Sequence, residues 1–136
     1  MKAMICAAFA PVEELQHGDF SAPVAGPGEV VIEVVAAGVN YPDVLIVQGK
    51  NQTKPAVPFV PGSEAAGHIL ALGEGVEGFA VGDRVIAFTG IGAFAEQVRV
   101  PATQVWPVPD GVDLEVAAGI AITYGTSYHA LKDRAG

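Results

Sequence analysis

Glycine and proline interrupt this chain so often that long helices are excluded from most of it. The 17 Gly and 10 Pro residues fall between short apolar runs and do not form one flexible stretch, a layout typical of strands joined by turns. Along one run, Val30, Ile32 and Val34 alternate with Glu33, as in a strand with one buried face. Strands are predicted at residues 2–7, 29–37, 64–72, 84–88, 94–100 and 104–108. The sequence therefore predicts a mainly β structure.

Helical spacing appears towards the C-terminal end. Asp113 can cap a short helix that reaches Ile120. Tyr124, Tyr128 and Leu131 have the spacing of a second helix. Two short helices are therefore predicted after the strands.

Charge and composition argue against several classes of function. The formal charge of -8 would repel polyanions, so nucleic-acid binding is not expected. No run of about 18 apolar residues is present, which argues against a membrane-spanning helix. Cys6 is the single cysteine, so the chain cannot form an internal disulfide or a cysteine-based zinc cluster. A cytoplasmic location is expected, because a reducing compartment suits such a chain.

Residues 73–78 read GEGVEG and match the glycine pattern of a dinucleotide-binding loop. That loop needs a strand before it and a helix after it, whose N–H groups face a pyrophosphate. Here the following residues, GFAVGDRVIAF, have the pattern of a turn and another strand. Glu74 and Glu77 would also repel a phosphate. The segment is therefore predicted to be a loop between strands.

Five segments carry a more specific signal. They are AAGVNYPDVLIVQGK (36–50), PFVPGSEAAG (58–67), GVEGFAVGDRVIAF (75–88), GAFAEQVRVPA (92–102) and ITYGTSYHALKDRAG (122–136). Together they resemble the N-terminal half of the medium-chain dehydrogenase/reductase superfamily, in its zinc-free quinone oxidoreductase branch. The resemblance implies a GroES-like, partly open β-barrel with short helices, formed by residues 1–122. It also implies a helix at 123–136 that leads towards a Rossmann domain outside this sequence.

The resemblance further implies an activity, the transfer of a hydride from NADPH to a quinone or enone. The chain would be an N-terminal catalytic-domain fragment of such an oxidoreductase, inactive alone and with weak or absent NADPH binding. Apolar surface left uncovered would make it self-associate or form a homo-oligomer. An enoyl- or acryloyl-thioester reductase and a standalone GroES-like interaction module remain alternatives. Asn51 stands where many relatives have Tyr, so their substrate preference does not carry over.

Motif matching to the family also implies a set of site residues. Asn40 and Asp43 would be catalytic and lie near the nicotinamide or the substrate, Tyr41 would border the substrate pocket, and Thr126 would contact the nicotinamide. Local chemistry offers simpler roles. Asn40 can form a turn, Asp43 can cap a helix that begins at Val44, and Thr126 can cap or line a helix.

The same matching implies that no metal is bound. Zinc-dependent relatives have Cys at the position of Asn40 and His at that of Ser63, and Glu64 matches the acidic residue beside that His. Amide and hydroxyl groups are poor zinc ligands beside thiolate and imidazole. The lobe with four cysteines is missing between Phe88 and Gly92. A quinone or enone also needs no Lewis acid, because conjugation already delocalises the charge that hydride addition creates.

Overall fold

Two antiparallel sheets dominate the computed structural model, which describes residues 1–52 and 54–119. The strands are β1 (Lys2–Ile5), β2 (Gln16–Asp19), β3 (Glu29–Gly38), β4 (Glu64–Leu72), β5 (Arg84–Phe88), β6 (Gln97–Pro101) and β7 (Val105–Pro107). The larger sheet has the order β6-β3-β4-β5-β7, and β1 pairs with β2. Within the described ranges β6 does not pair with β7, so the larger sheet is not closed. The prediction of a mainly β, partly open structure is confirmed.

The paired strands β3 and β4 form the centre of the larger sheet. They pair from Val30 opposite Leu72 to Gly38 opposite Glu64, with two register shifts along the way. Ile32 is fully buried and Glu33 is exposed, as the alternation in the sequence predicts. The buried side chains of the main core come from five strands and are Val30, Ile32, Ile69, Val85, Ala87, Val98, Val100 and Val105.

Gly67 allows an unusually close approach of two backbones in this central pair. A β-carbon added at Gly67 would lie 1.8 Å from the backbone oxygen of Glu33. Every residue other than glycine carries that atom, so the approach is possible only with glycine. The register that places Gly38 beside Glu64 therefore depends on a glycine near the middle of β4.

Two short helices accompany the sheet. Helix α1 (Tyr41–Val47) follows β3, and α2 (Leu114–Ala118) packs against β3, β4 and β5. The Oδ1 atom of Asp113 accepts a hydrogen bond of 2.8 Å from the backbone N–H of Glu115, so the predicted cap of α2 is confirmed. Ile120 and the predicted second helix lie outside the described residues, as does the predicted boundary at 122.

The two largest differences from the predicted strand pattern concern β6 and β2. The strand expected at 94–100 begins at Gln97, because Ala95 instead forms a bridge with Ala3 and the Phe94 carbonyl accepts the N–H of Met4. Strand β2 was not predicted, since its residues QHGD are polar and show no apolar alternation.

The GEGVEG segment is a loop between β4 and β5, as predicted. Gly75 and Gly78 have positive φ angles of 82° and 83°, which suit glycine in tight turns. The backbone oxygen of Glu74 accepts a 2.8 Å hydrogen bond from the N–H of Gly28. The loop is thus tied to the residues that precede β3. Across the described ranges, none of the helices is long and apolar enough to cross a lipid bilayer.

Candidate active site

Three strand ends meet at one edge of the larger sheet. Gly38 at the end of β3 pairs with Glu64 at the start of β4, and Glu64 also pairs with Phe88 at the end of β5. Antiparallel pairing therefore brings together the residues just beyond these ends. Asn40 follows β3, Ser63 precedes β4 and Thr89 follows β5, so three distant parts of the sequence converge there.

A groove with a volume of about 710 Å³ lies beside this edge. It is lined by Pro42, Ile46, Asn51, Lys54, Pro55, Ser63, Phe88, Thr89, Gly90 and Ile91. Five of these side chains, those of the two prolines, the two isoleucines and the phenylalanine, are apolar, and the four polar ones belong to Asn51, Lys54, Ser63 and Thr89. Mostly apolar clefts with a few convergent polar groups are the usual form of small-molecule sites.

The first turn of α1 stands at this edge and is held by Asn40 and Asp43. Asn40 is the residue before the helix, and its backbone N–H donates a 2.8 Å hydrogen bond to Oδ2 of Asp43. The N–H of Asp43 in turn donates to the backbone oxygen of Asn40 at 3.0 Å. Helix α1 therefore begins at Tyr41, three residues before the start suggested at Val44. Pro42 fits there because the first turn of a helix leaves its N–H groups unpaired.

Three buried polar atoms near this edge have no hydrogen-bond partner within the described ranges. They are Nδ2 of Asn40, Oδ1 of Asp43 and Oγ of Ser63. Asp43 is 3% exposed and Ser63 is 4% exposed. Buried polar groups nearly always have partners in folded proteins. Unpaired atoms at a groove are therefore candidates for contacts with a ligand.

The structure brings some of the predicted site residues together. Asn40, Tyr41 and Asp43 all lie at the start of α1, and the groove is lined by Pro42 and Ile46 of the same helix. The side chain of Tyr41 is 73% exposed, and neither it nor Asn40 or Asp43 lines the groove itself. Thr126 lies outside the described residues.

None of the ten groove residues was predicted to be catalytic or cofactor-binding. Four of them are Ile46, Phe88, Thr89 and Ile91. They come from α1, the last residue of β5 and the segment after it. No local motif marks them, because each is an ordinary apolar or hydroxyl residue whose role arises from the pairing of β4 with β5.

Glu64 is buried at the same edge, 2% exposed. A β-carbon added at Gly38 would lie 2.1 Å from its Oε1 and 3.0 Å from the backbone oxygen of Ala118. The absent side chain at Gly38 thus gives the carboxyl group its space between β3 and the end of α2. Glu64 therefore has a structural place in the core, in agreement with its position inside β4.

No group of three or more His, Cys, Asp or Glu side chains that could hold a metal ion occurs in the part of the chain described. Asn40 and Ser63 offer an amide and a hydroxyl, which bind zinc poorly. Cys6 is buried in an apolar cluster with Ile46, Val47 and Phe59. Burial raises the pKa of its thiol, so the thiolate that would bind a metal or attack a substrate is disfavoured.

Comparison with known proteins agrees with this architecture. The alcohol dehydrogenase GroES-like domain family matches residues 26–110. The quinone oxidoreductase-like protein 2 homolog of Nematostella vectensis is 39% identical over 117 residues, which are 85% of this chain and 32% of that protein. The human synaptic vesicle membrane protein VAT-1 homolog-like protein superposes with a TM-score of 0.90 at 35% identity, covering 98% of this chain and 43% of that one.

A third similar protein was solved with a nucleotide. Escherichia coli quinone oxidoreductase, complexed with NADPH, superposes with a TM-score of 0.87 at 27% identity, over 98% of this chain and 41% of that one. The chain spans about a third of the length of the curated relatives it matches. The matched range contains α1, the three strand ends and every residue that lines the groove. The chain belongs to the alcohol dehydrogenase GroES-like domain family, within the medium-chain dehydrogenase/reductase superfamily of oxidoreductases.

Proposed function

We propose that this chain forms the substrate-binding wall of an NADPH-dependent reductase of quinones or enones, in which the groove receives the conjugated carbonyl compound. The observation that carries the proposal is the groove itself. Its walls include Ile46, Phe88 and Ile91, which are apolar enough to hold a flat conjugated ring, and buried polar atoms stand unpaired at its edge. The NADPH-bound relative from Escherichia coli supports the same assignment.

The start of α1 fits the carboxamide of a nicotinamide. A carboxamide has one NH₂ donor and one oxygen acceptor. Asn40 offers an unpaired donor, Nδ2, and Asp43 an unpaired acceptor, Oδ1. The two atoms therefore complement the two ends of that group. When bound, NADPH supplies the hydride, and we propose that Asn40 and Asp43, together with Thr126, hold its nicotinamide portion.

The remaining contribution of the chain is to position the substrate and exclude water. Apolar walls displace water from the ring of a quinone or enone, which strengthens the polar contacts made inside the groove. Tyr41, beside the groove, is proposed to border the substrate when the rest of the active site is in place. Because conjugation spreads the charge formed on hydride addition, the reaction proceeds without a metal ion.

The chain on its own is proposed to be inactive and to bind NADPH weakly. Val39, Tyr41 and Val116 are large apolar side chains that are 74%, 73% and 63% exposed. Exposed apolar surface of this kind favours association, so self-association or a homo-oligomer is proposed as well. A cytoplasmic location is proposed because the one cysteine of the chain is a free thiol.

The activity is tested on the complete gene product that carries this sequence. We expect it to oxidise NADPH, followed by the loss of near-ultraviolet absorbance, when a quinone or enone is supplied. Its kcat/KM with the quinone is expected to exceed that with an enoyl thioester by about 100-fold, because the groove is built for a compact apolar ring. A preference for the thioester would identify the alternative reductase, and no oxidation with any of these compounds would reject the proposal.

The donor set at the strand edge predicts a protein without stoichiometric zinc. Asn40 and Ser63 stand where zinc-dependent relatives have a Cys and a His ligand. Neither an amide nor a hydroxyl binds zinc as well as thiolate and imidazole do. Elemental analysis of protein purified without chelators measures the zinc content directly. One equivalent of zinc per chain that survives dialysis would contradict the prediction.

A further inference from the structure

Two of the described residues that line the groove carry a hydroxyl group, Ser63 and Thr89. Oγ1 of Thr89 donates a 2.9 Å hydrogen bond to the backbone oxygen of Gly62, so its proton is already used. Oγ of Ser63 is buried and has no partner within residues 1–52 and 54–119. The Thr89 hydroxyl therefore already donates its proton within the protein, whereas the Ser63 hydroxyl can donate to a ligand.

The backbone that carries Ser63 is held in place on both sides. The carbonyl of Ser63 accepts the N–H of Thr89 at 2.7 Å, and the next residue, Glu64, begins β4. Gly62 has a φ of 105°, and a β-carbon added to it would lie 2.7 Å from the ring of Phe94. A hydroxyl on so constrained a segment has little freedom to move and can only rotate about its own bonds. It is pre-organised to donate into the groove.

The neighbours of this hydroxyl decide what it binds. Phe88 and Ile91 are apolar, and Thr89 has its proton directed elsewhere. A ligand that fits such surroundings presents a hydrogen-bond acceptor within an apolar body. A carbonyl oxygen on a conjugated ring has that chemistry.

We infer that Ser63 forms a subsite for the carbonyl oxygen of the substrate, with its hydroxyl as the hydrogen-bond donor. The inference rests on the proposed function, since it assumes a conjugated carbonyl compound in the groove. During reduction, two electrons and one proton are transferred together from NADPH to the substrate as a hydride, so the nicotinamide is oxidised and the conjugated compound is reduced. Negative charge then grows on the carbonyl oxygen, where the Ser63 hydroxyl stabilises it until solvent supplies a proton.

Binding of duroquinone, labelled with a carbon isotope at its carbonyl groups, tests the inference on this chain without cofactor. Its ring is fully methylated, so thiols have no open ring position to attack. Ser63→Ala is expected to weaken its binding about tenfold, the loss of one hydrogen bond in an apolar site. In the infrared spectrum, the carbonyl band of the bound quinone is expected at higher frequency in Ser63→Ala than in the unaltered chain, because a hydrogen bond weakens the C=O bond.

Three further variants separate this role from a structural one. Ser63→Thr keeps a hydroxyl and is expected to show the lower carbonyl frequency of the unaltered chain. If Ser63→Ala fails to fold, Ser63→Cys replaces it. A thiol is a weak hydrogen-bond donor, so the higher frequency expected of Ser63→Ala is also expected of Ser63→Cys. Thr89→Val removes the other hydroxyl and is expected to lower the melting temperature without moving the band. Equal band positions in the unaltered chain and Ser63→Ala, or no binding of duroquinone to the unaltered chain, would overturn the inference.

The complete gene product distinguishes failure of this inference from failure of the proposed function. If it reduces quinones and Ser63→Ala leaves both KM and kcat unchanged, the proposed function stands and the subsite is wrong. If the unaltered protein reduces no conjugated carbonyl compound, the proposed function itself fails.

Discussion

Replacement of Gly67 by alanine is expected to destabilise the fold by at least about 3 kcal/mol, at the upper end of the cost of overpacking a core. The added β-carbon would lie 1.8 Å from the backbone oxygen of Glu33. The clashing atom belongs to the backbone of β3, so no side-chain rotation relieves the contact. The two central strands must separate, and their hydrogen bonds lengthen with them. Urea denaturation followed by circular dichroism measures the change in the free energy of unfolding.

Gly75→Ala is the matched control for that change. Gly75 lies in the loop after β4, has a φ of 82°, and a β-carbon there would have no atom within 4 Å. Its replacement costs only the backbone strain of a left-handed conformation, about 1–2 kcal/mol. Loss of any cooperative transition in Gly67→Ala, with one retained in Gly75→Ala, agrees with the prediction. Equal losses in the two variants would contradict it.

The strands most accurately predicted from the sequence are those with a buried face and clear turn signals. The predicted ranges 64–72 and 84–88 coincide with β4 and β5. Both strands consist mostly of apolar residues and are bounded by glycine-containing turns, so the local pattern and the final packing agree. The order of the strands in the sheet does not follow from the local pattern, because it depends on which apolar faces meet and not on any single segment.

The missed strand β2 shows where local pattern fails. Its four residues, QHGD, have low strand propensity. They pair with β1 because the chain returns alongside Lys2 to Ile5, and an ion pair of 2.9 Å joins Lys2 to Asp19. Such pairing is a tertiary contact, which a reading of one short segment does not contain.

The candidate site was only partly predictable for a similar reason. Asn40 and Asp43 are three residues apart in the segment NYPD, so their proximity follows from the local sequence, although the helix begins at Tyr41 and not at the suggested Val44. The groove requires Ile46, Ser63 and Phe88 to meet, and these come from three elements whose proximity is set by the register of β4 against β3 and β5. The Ser63 hydroxyl is unpaired in part because the Thr89 hydroxyl donates to the backbone oxygen of Gly62 and not to the oxygen of Ser63.

Asp43→Ala is expected to lower kcat/KM for quinone reduction by the complete gene product about 100-fold, the usual cost of a misplaced reacting geometry. The Asp43 carboxylate accepts the backbone N–H of Asn40 at 2.8 Å through Oδ2 and leaves Oδ1 unpaired. Alanine removes both atoms. The backbone N–H of Asn40 then loses its hydrogen bond to Oδ2, so the position of Asn40 is no longer fixed. The proposed nicotinamide site also loses its acceptor, Oδ1. Steady-state kinetics at varied NADPH and quinone concentrations measure the effect.

Asp113→Ala separates this loss from the general cost of removing a helix cap. Asp113 caps α2 by accepting a hydrogen bond of the same length, 2.8 Å, from the backbone N–H of Glu115, but its side chain is exposed and holds none of the buried unpaired atoms. Both variants are expected to lose about 1 kcal/mol of folding stability, the typical cost of a lost cap. The proposed site predicts that only Asp43→Ala also loses activity, since α2 and its cap hold none of the three unpaired atoms near the edge of the sheet. If both variants lost activity equally, the loss would follow from stability alone, and Asp43 would be a structural cap with no part in holding the nicotinamide.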